Sequence, residues 1–264
     1  MWKELRFALY AIKKNFQSSA ELRTSFLLNV FGMVINNVSF IIVWVFFVRS
    51  VGNIGGWTAA DIIGLQGFLA ISYGIVFSLT DGIRRLPDVV ASGAFDRFML
   101  SPKNLLVRVA TASFSPTGIG DIVFGTTGMV VYGFLIHMTI LQMAMVSSFV
   151  ILSVIIFAAI SVSIYSLSFF IMDSNSMVGG IFELFMTPTL FHGGAFQGLM
   201  RFAFTFVIPS LLVAALPVEA VRDLSFEKWS LVAVMAVIWP VIAWNFFYRA
   251  IRRYESSNLM TFGS

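Results

Sequence analysis

The stretch TSFLLNVFGMVINNVSFIIVWVFFV, from Thr24 to Val48, contains 25 residues and no charged side chain. A helix needs about 20 mostly apolar residues to cross a hydrocarbon core of about 30 Å, so this stretch is long enough to span a membrane. It is too long for the apolar core of a signal peptide, about 7–15 residues, and it lacks a small-residue cleavage pattern. We therefore expect it to stay in the membrane as an anchor.

The composition of the whole chain agrees with this reading. Of its 264 residues, 58% are hydrophobic and only 11% are charged, whereas a soluble domain has about 25% charged residues. The alternation of apolar and polar residues over about ten positions that a membrane barrel needs is absent. The chain has no cysteine, which excludes disulfides and thiolate metal sites. The sequence predicts an all-α integral membrane protein.

Apolar runs and their breaks divide the chain into segments. Residues 1–22 carry Trp2, Leu5 and Leu9 at helical spacing among basic residues, which predicts an amphipathic helix along the cytoplasmic headgroups. Residues 195–216, in a stretch interrupted by Gly193, Gly194, Gly198 and Pro209, are predicted to form a re-entrant helical hairpin in the outer leaflet, covered by protein or a pathway. Six transmembrane helices are predicted at about 24–48, 62–80, 121–136, 143–172, 177–191 and 229–248.

The distribution of Lys and Arg predicts the orientation. If both termini and the region 81–120 are cytoplasmic, that side holds 13 of the 17 basic residues. The opposite loops hold only Arg49, Arg201, Arg222 and Lys228. Cytoplasmic loops carry an excess of basic residues, so six spans with both ends inside are favoured.

The cytoplasmic stretch IRRLPDVVASGAFDRFMLSPKN, residues 83–104, is unusually charged for this chain. Pro87 and Asp88 suit the first turn of a helix over residues 86–92, and Gly93 supplies a stop. A short helix with apolar positions and charged edges suits docking to a soluble partner. On these residues alone, a plain surface loop remains the alternative.

Enzymatic chemistry is hard to find in the sequence. No lysine is followed by Ser or Thr, so the chain has no GK[ST] phosphate-binding loop, and His137 and His192 lack the pairing of a zinc site. Apart from Asp121 at the cytoplasmic entry of the third span, Glu183 is the one charge inside the predicted spans, and we expect it to face the bundle or to be neutral. Glu183, Asn36 and Asn37 are candidate pathway residues, although hydrogen bonding between helices is the role that we favour for them.

The chain resembles the membrane subunits of ABC-2 type transporters over essentially its whole length. The segment VASGAFDRFMLSPKN (90–104) is similar to a signature of the bacterial permease group, I-x-x-G-x-[LF]-D-x-[LFY]-[LM]-L-x-P-x-[ND]. The later TFVIP (205–209), followed by Pro217, resembles the closing segment of that group. Where relatives tend to have Tyr-Pro after span five, this chain has LFHGGAF (190–196), so its outer gate is expected to differ.

The resemblance implies a permease subunit in the bacterial cytoplasmic membrane, working with lipid around it and with no nucleic acid. A separate P-loop subunit would bind ATP and Mg, and two permeases, identical or similar, would enclose a path for exporting a hydrophobic or amphipathic substrate. Phe196, Phe206 and Pro209 would belong to the gate. The residues implied in coupling to the ATPase are Arg84, Arg85, Asp88, Val89, Val90, Gly93, Phe95, Asp96, Arg97 and Phe98.

One other transporter class stays open. An ion-coupled secondary transporter or channel using Glu183 would also explain the spans, but it would not explain the charged stretch at 83–104. A membrane-embedded enzyme would need a nucleophile or metal constellation, and the sequence shows none.

Overall fold

The computed structural model describes residues 2–52, 55–171 and 174–254, and all regular secondary structure within these ranges is helical. Met172, where the fourth predicted span ends, lies outside the described residues, as does the tail after Tyr254. The helices are α1 (Trp2–Glu21), α2 (Arg23–Val51), α3 (Ala59–Arg84), α4 (Leu86–Ala91), α5 (Asp96–Met99), α6 (Leu105–Ala110), α7 (Thr117–Leu135), α8 (Ile140–Tyr165), α9 (Ser174–Thr189), α10 (Gly198–Phe202), α11 (Ala215–Asp223) and α12 (Phe226–Ala250).

Five helical segments among the described residues are long and apolar enough to cross a membrane. They are Arg23–Ser50, Ala59–Ala91, Thr117–Leu135, Ile140–Phe169 and Phe226–Arg253. Helix α9 overlaps the remaining predicted span, but its 16 residues are fewer than the about 20 that a perpendicular crossing needs. The chain is therefore a helical, multi-pass membrane protein.

Helix α3 lies at the centre of the bundle and packs closely against α7. Its apolar window is 78% buried, the highest value among the five segments. Glycines on both helices permit the close approach: a Cβ placed on Gly125 would lie 2.7 Å from the backbone nitrogen of Ile71, and one on Gly64 would lie 2.9 Å from the Tyr132 ring. Small residues are enriched at such contacts because helices in lipid associate largely through van der Waals packing.

An aromatic cluster joins α3, α8 and α9. The ring of Phe157 on α8 lies 5.8 Å from that of Phe77, 6.2 Å from that of Phe182 and 5.5 Å from that of Phe185. These separations fall within the range of favourable ring pairs. The cluster fixes one side of α9 against the core.

Helix α1 packs beside the segment that precedes α7. The Asn15 side chain donates a hydrogen bond of 2.8 Å to the Thr111 carbonyl, and the Glu4 carboxylate accepts one of 3.1 Å from the Asn104 N–H. No residue of α1 is buried, and Trp2 is 72% exposed. Because its apolar side chains remain exposed, α1 has the surface that an interfacial helix needs.

Candidate functional site

The segment after α3 folds into the short helix that its sequence predicts. Helix α4 spans Leu86–Ala91, has Pro87 in its first turn, and is followed by Gly93 at φ +69°. Only glycine adopts a positive φ without steric cost, so Gly93 lets the chain turn sharply towards α5. Val89 and Val90 are half-buried, whereas Asp88 is exposed.

A buried carboxylate fixes the start of this segment. Asp81 is fully buried near the end of α3 and accepts hydrogen bonds from Arg84 (2.6 Å), Arg85 (3.0 Å) and the Ser113 hydroxyl (2.8 Å). The Arg84 guanidinium also lies 5.1 Å from the centre of the Phe77 ring. These bonds fix the junction between α3 and α4, because Arg84 ends α3 and Arg85 lies between the two helices. Sequence reasoning missed Asp81, although its spacing of three and four residues from Arg84 and Arg85 is that of helical ion pairs.

Helix α4 is also tied to α9. The Asn175 amide donates a hydrogen bond of 2.5 Å to the Asp88 carboxylate. Asn175 lies in the first turn of α9, so this bond links α4 to the helix whose other side packs in the aromatic cluster. A displacement of α4 would therefore reach α9 directly.

Phe95 lies inside the bundle. Its ring is fully buried, 4.9 Å from that of Phe169 and 5.0 Å from that of Tyr254. Burial and the neighbouring Asp96 carboxylate raise the pKa of Tyr254 to about 12. Phe95 is therefore packed within the chain and does not form an exposed anchor, so any part it has in coupling acts through this packing.

The exposed apolar side chains of the segment come slightly later in the chain. Met99 is 47% exposed and Leu100 is 86% exposed, with the exposed Arg97 beside them. Phe98 is half-buried, and its carbonyl accepts a hydrogen bond from Arg108. An apolar side chain that protrudes beside a charge is suited to contact with another protein.

The candidate pathway residues do not come together within the chain. Asn37 donates a hydrogen bond of 2.7 Å to the buried Asp121, which joins α2 to α7. Asn36 is exposed on α2. Glu183 does not face the bundle of its own chain, because its side chain is exposed on α9, away from the buried Phe182 and Phe185.

The candidate gate residues occupy the irregular chain between α9 and α11. The Phe196 ring lies 4.8 Å from that of Phe204, and the Phe206 ring lies 5.0 Å from that of Phe202. One turn of π-helix, Ala203–Val207, follows α10, and the buried Pro209 comes after it. The predicted hairpin, residues 195–216, thus contains α10, the π turn and the beginning of α11.

An ionic network at the opposite end of the bundle from α4 was not anticipated from the sequence. The buried Glu219 forms ion pairs with Arg201 at 2.6 Å and with Lys228 at 3.1 Å. Lys228 also forms an ion pair with Asp223 at 2.9 Å. Arg222 pairs with Asp223 at 3.0 Å and reaches the buried Asp61 at 3.5 Å. This distal network joins the start of α3, α10, α11 and α12.

The surroundings shift the pKa of two titratable side chains at or near the distal network. Burial alone would raise the pKa of Asp223, but hydrogen bonds from Lys228 and Arg222 and their positive charge lower it below its ordinary value. Burial lowers the pKa of His192, whose ring lies 5.9 Å from that of Trp57. The neutral form of His192 is therefore the one that fits its site.

Comparison with known families agrees with the fold. No curated protein matches the chain. The model of a family described as ABC-2 family transporter protein matches residues 33–258, which includes α4, α9 and the distal network. The match covers most of the chain, so the protein belongs to the ABC-2 family of transporter membrane proteins.

Proposed function

We propose that this chain is the permease subunit of an ATP-driven ABC-2 exporter in a bacterial cytoplasmic membrane. The observation that carries the proposal is the Asp88–Asn175 hydrogen bond between α4 and α9, together with the Asp81 bonds that fix the junction between α3 and α4. Such an attachment suits an element that transmits movement from a soluble subunit into membrane helices. The family membership supports the same reading.

The proposed topology has six spans and both termini in the cytoplasm. Helix α9 would be the fifth crossing along the chain and would bring the total to six, completed by the turn in which Leu190 and Phe191 donate backbone hydrogen bonds to Thr187 and Pro188. An even number of spans keeps the basic region 81–120 and both ends on one side, as the distribution of Lys and Arg favours.

The energy source in this proposal is a separate subunit. The chain contains no GK[ST] motif, so ATP and Mg would be bound by a P-loop partner. Exposed Leu100 and Met99, with Arg97 near them in the chain, would dock against that partner, while the bonds of Arg84 and Arg85 to Asp81 keep the junction of α3 and α4 fixed. Closure of the partner on ATP would move α4, and the Asp88–Asn175 bond would pass the movement to α9.

The proposed substrate is hydrophobic or amphipathic. The surfaces that the chain offers at membrane depth are dominated by Phe, Leu, Ile, Val and Met, which suit apolar solutes. Two permeases would enclose the path, and the segment containing Phe196, Phe206 and Pro209 would close it on the far side.

A co-purification experiment with a matched control tests the proposal. The protein is co-expressed with candidate P-loop ATPases from neighbouring genes and purified in detergent, as wild type, as Leu100→Asp and as Leu199→Asp. The two leucines are 86% and 82% exposed, but Leu199 lies on α10, far along the chain from α4. We expect an ATPase to accompany the wild type and Leu199→Asp and to be lost from Leu100→Asp. Recovery of no ATPase with the wild type, or equal recovery with all three, contradicts the proposal.

A further inference from the structure

A basic strip runs along one exposed side of α1. Its members follow one another at steps of three, seven and one residues, which keep them within an arc of about 100° in a helix of 3.6 residues per turn. The strip consists of Lys3, Arg6, Lys13 and Lys14, all of them exposed. The two acidic residues of α1 lie outside it, because Glu4 is half-buried on another side and Glu21 is the last residue of the helix.

An apolar strip of exposed side chains lies beside the basic one. It consists of Trp2, Leu5, Leu9 and Phe16. The Arg6 guanidinium lies 5.6 Å from the centre of the Trp2 ring, and the Lys14 ammonium lies 5.9 Å from that of the Tyr10 ring. Trp and Tyr are enriched at the headgroup level of membranes, and helices that lie there have a basic face beside an apolar one.

Helix α1 lies at the end of the bundle where two membrane spans begin. Only Leu22 separates it from α2, and the backbone of Leu22 is not helical (φ −86°, ψ 67°), so the chain bends at this point. The Asn15 amide is hydrogen-bonded to the carbonyl of Thr111, in the segment that leads into α7. These connections hold α1 at the membrane surface, where lipid headgroups are its neighbours.

The charge of the basic strip selects one class of headgroup. In the proposed topology α1 faces the cytoplasmic leaflet, whose anionic lipids attract Lys and Arg side chains near the surface. Guanidinium and ammonium groups form charge-assisted hydrogen bonds with phosphate oxygens. A zwitterionic headgroup also has a phosphate, but its own cation offsets the negative charge. Anionic phospholipids therefore complement the strip best.

A third side of α1 is bonded to both ends of α6. The Glu4 carboxylate accepts a hydrogen bond of 3.1 Å from the N–H of Asn104, whose side chain caps α6 by accepting a bond of 3.1 Å from the Val107 N–H. At the other end of α6, the Asn15 amide donates a bond of 2.8 Å to the Thr111 carbonyl. A change in the position of α1 therefore acts directly on α6.

Helix α6 in turn holds the docking segment, residues 97–100. The Arg108 side chain donates hydrogen bonds to the carbonyl of Phe98 and, at 3.4 Å, to that of Arg97. Its guanidinium also lies 5.7 Å from the centre of the Phe98 ring. Met99 and Leu100, the exposed residues proposed to meet the ATPase, follow Phe98 directly. A continuous series of contacts thus joins α1 to the docking segment.

We propose that the basic strip of α1 binds anionic phospholipid headgroups of the cytoplasmic leaflet, and that this binding orders α6 and the docking segment. Bound headgroups hold α1 at the membrane surface, and its bonds to Asn104 and Thr111 pass this restraint to α6. The order of the docking segment then depends on the lipid composition of the membrane. The effect on the ATPase rests on the proposed function, whereas the binding of lipid does not.

Hydrogen–deuterium exchange of the whole chain in lipid nanodiscs tests the proposal without any ATPase. The discs contain phosphatidylcholine alone, or phosphatidylcholine with about one third of the anionic lipid phosphatidylglycerol. Because amide exchange reports local opening, we expect residues 97–111 to exchange at least about threefold more slowly in the discs with phosphatidylglycerol. Equal exchange in the two kinds of disc overturns the proposal.

Two variants with the same loss of charge assign the effect to the strip. The strip variant combines Arg6→Gln, Lys13→Gln and Lys14→Gln. The control combines Arg249→Gln, Arg252→Gln and Arg253→Gln, at exposed positions near the end of α12. The control should keep the difference between the two lipids, and the strip variant should lose it. A strip variant that keeps the full difference overturns the proposal. Unchanged exchange of α3 checks that each variant is folded, and the wild-type comparison needs no variant.

Further measurements identify the ligand and separate this inference from the proposed function. Inorganic phosphate added to phosphatidylcholine discs should leave exchange unchanged, and slower exchange would show that the strip takes free phosphate instead of lipid. Co-purification with the P-loop ATPase is measured on the same proteins. If exchange depends on phosphatidylglycerol and no ATPase is recovered, lipid binding holds and the proposed function fails. If the ATPase is recovered and exchange ignores the lipid, the proposed function stands and this inference fails. Loss of the ATPase from the strip variant, without lipid dependence in the wild type, would assign the strip to the ATPase and also overturn the inference.

Discussion

Asp88 and Asn175 are 87 residues apart in the chain, yet the Asn175 amide nitrogen lies 2.5 Å from the Asp88 carboxylate oxygen. The bond joins the exposed side of α4 to the first turn of α9. Arg85, which precedes α4, donates a hydrogen bond to the buried Asp81 of the central helix α3, so the junction at the start of α4 is fixed as well. In the proposed exporter, these two bonds are the route from the soluble subunit to the membrane.

Removing the Asp88–Asn175 bond should weaken coupling without removing the ATPase. A hydrogen bond contributes about 0.5–1.5 kcal/mol, so Asp88→Ala and Asn175→Ala should each lower the ATPase rate of the assembled complex by about 2–10-fold. Because both changes remove one bond, the double variant should be no slower than the slower single variant. Ser92→Ala serves as the control, since the Ser92 hydroxyl donates only to the backbone carbonyls of Asp88 and Val89. Additive effects of the two changes would show that the bond does not act as a unit.

Loss of the buried Asp81 carboxylate should destabilise the protein itself. Asp81→Ala leaves Arg84, whose side chain is 36% exposed, without its charge partner, and leaves the Ser113 hydroxyl without its acceptor. Hydrogen bonds to charged groups contribute about 1.5–3 kcal/mol each, so we expect a clearly lower thermal midpoint in detergent. Arg85→Gln should change the midpoint much less, because the Arg85 side chain is 61% exposed. Equal thermal midpoints for both variants would contradict the assignment of Asp81 as the residue that fixes the junction between α3 and α4.

The sequence predicted helices better than it predicted their partners. The apolar run 24–48 and the Pro87-to-Gly93 pattern are local signals, and α2 and α4 formed where those signals lie. The burial of Phe95 and the exposure of Glu183 depend on which side of a helix meets the rest of the bundle. An apolar face in a membrane protein fits lipid and protein equally well, so the hydrophobic pattern does not decide between them.

The distal network illustrates the same limit. Glu219, Arg201 and Lys228 lie in three different segments, and their meeting depends on how the chain between α9 and α12 turns. No spacing rule joins residues on separate segments, so only the folded chain reveals the cluster. Asp81 was different, because its arginines are three and four residues away and the helical ion-pair rule could have found it.

Close packing of α3 on α7 predicts opposite effects for the same substitution at two glycines of α7. Gly125→Ala should destabilise, because the new Cβ would lie 2.7 Å from both the backbone nitrogen and a side-chain carbon of Ile71. Gly133→Ala meets only Met138 at 3.8 Å, an ordinary contact. Alanine is favoured over glycine in a helix interior by about 0.5–1 kcal/mol, so Gly133→Ala should be neutral or stabilising. Thermal unfolding in detergent measures both, and a stable Gly125→Ala protein would contradict the packing.

Breaking the distal network should loosen the far end of the bundle. Glu219→Gln removes the charge that holds Arg201 at 2.6 Å and Lys228 at 3.1 Å, and therefore weakens the link between α10 and α12. We expect faster proteolysis at residues 195–210 in intact membranes, with helix content unchanged by circular dichroism. Glu227→Gln, on the first turn of α12, is the matched control because Glu227 takes no part in the network. Equal proteolysis of the two variants would show that the network does not restrain this segment.

His192 should make stability depend on mildly acidic pH. Burial lowers its pKa in the folded protein below the ordinary value of about 6.5, so between these two pKa values the unfolded chain binds more protons than the folded one. Stability is therefore full above about pH 6.5 and decreases as the pH falls through that range. Wild type should show a lower thermal midpoint at pH 5.5 than at pH 7.5, and His192→Gln, which cannot titrate, should show a smaller difference. The exposed His137 is present in both proteins and cancels in the comparison. An identical pH dependence in the two proteins would show that the buried ring beside Trp57 is not the group responsible.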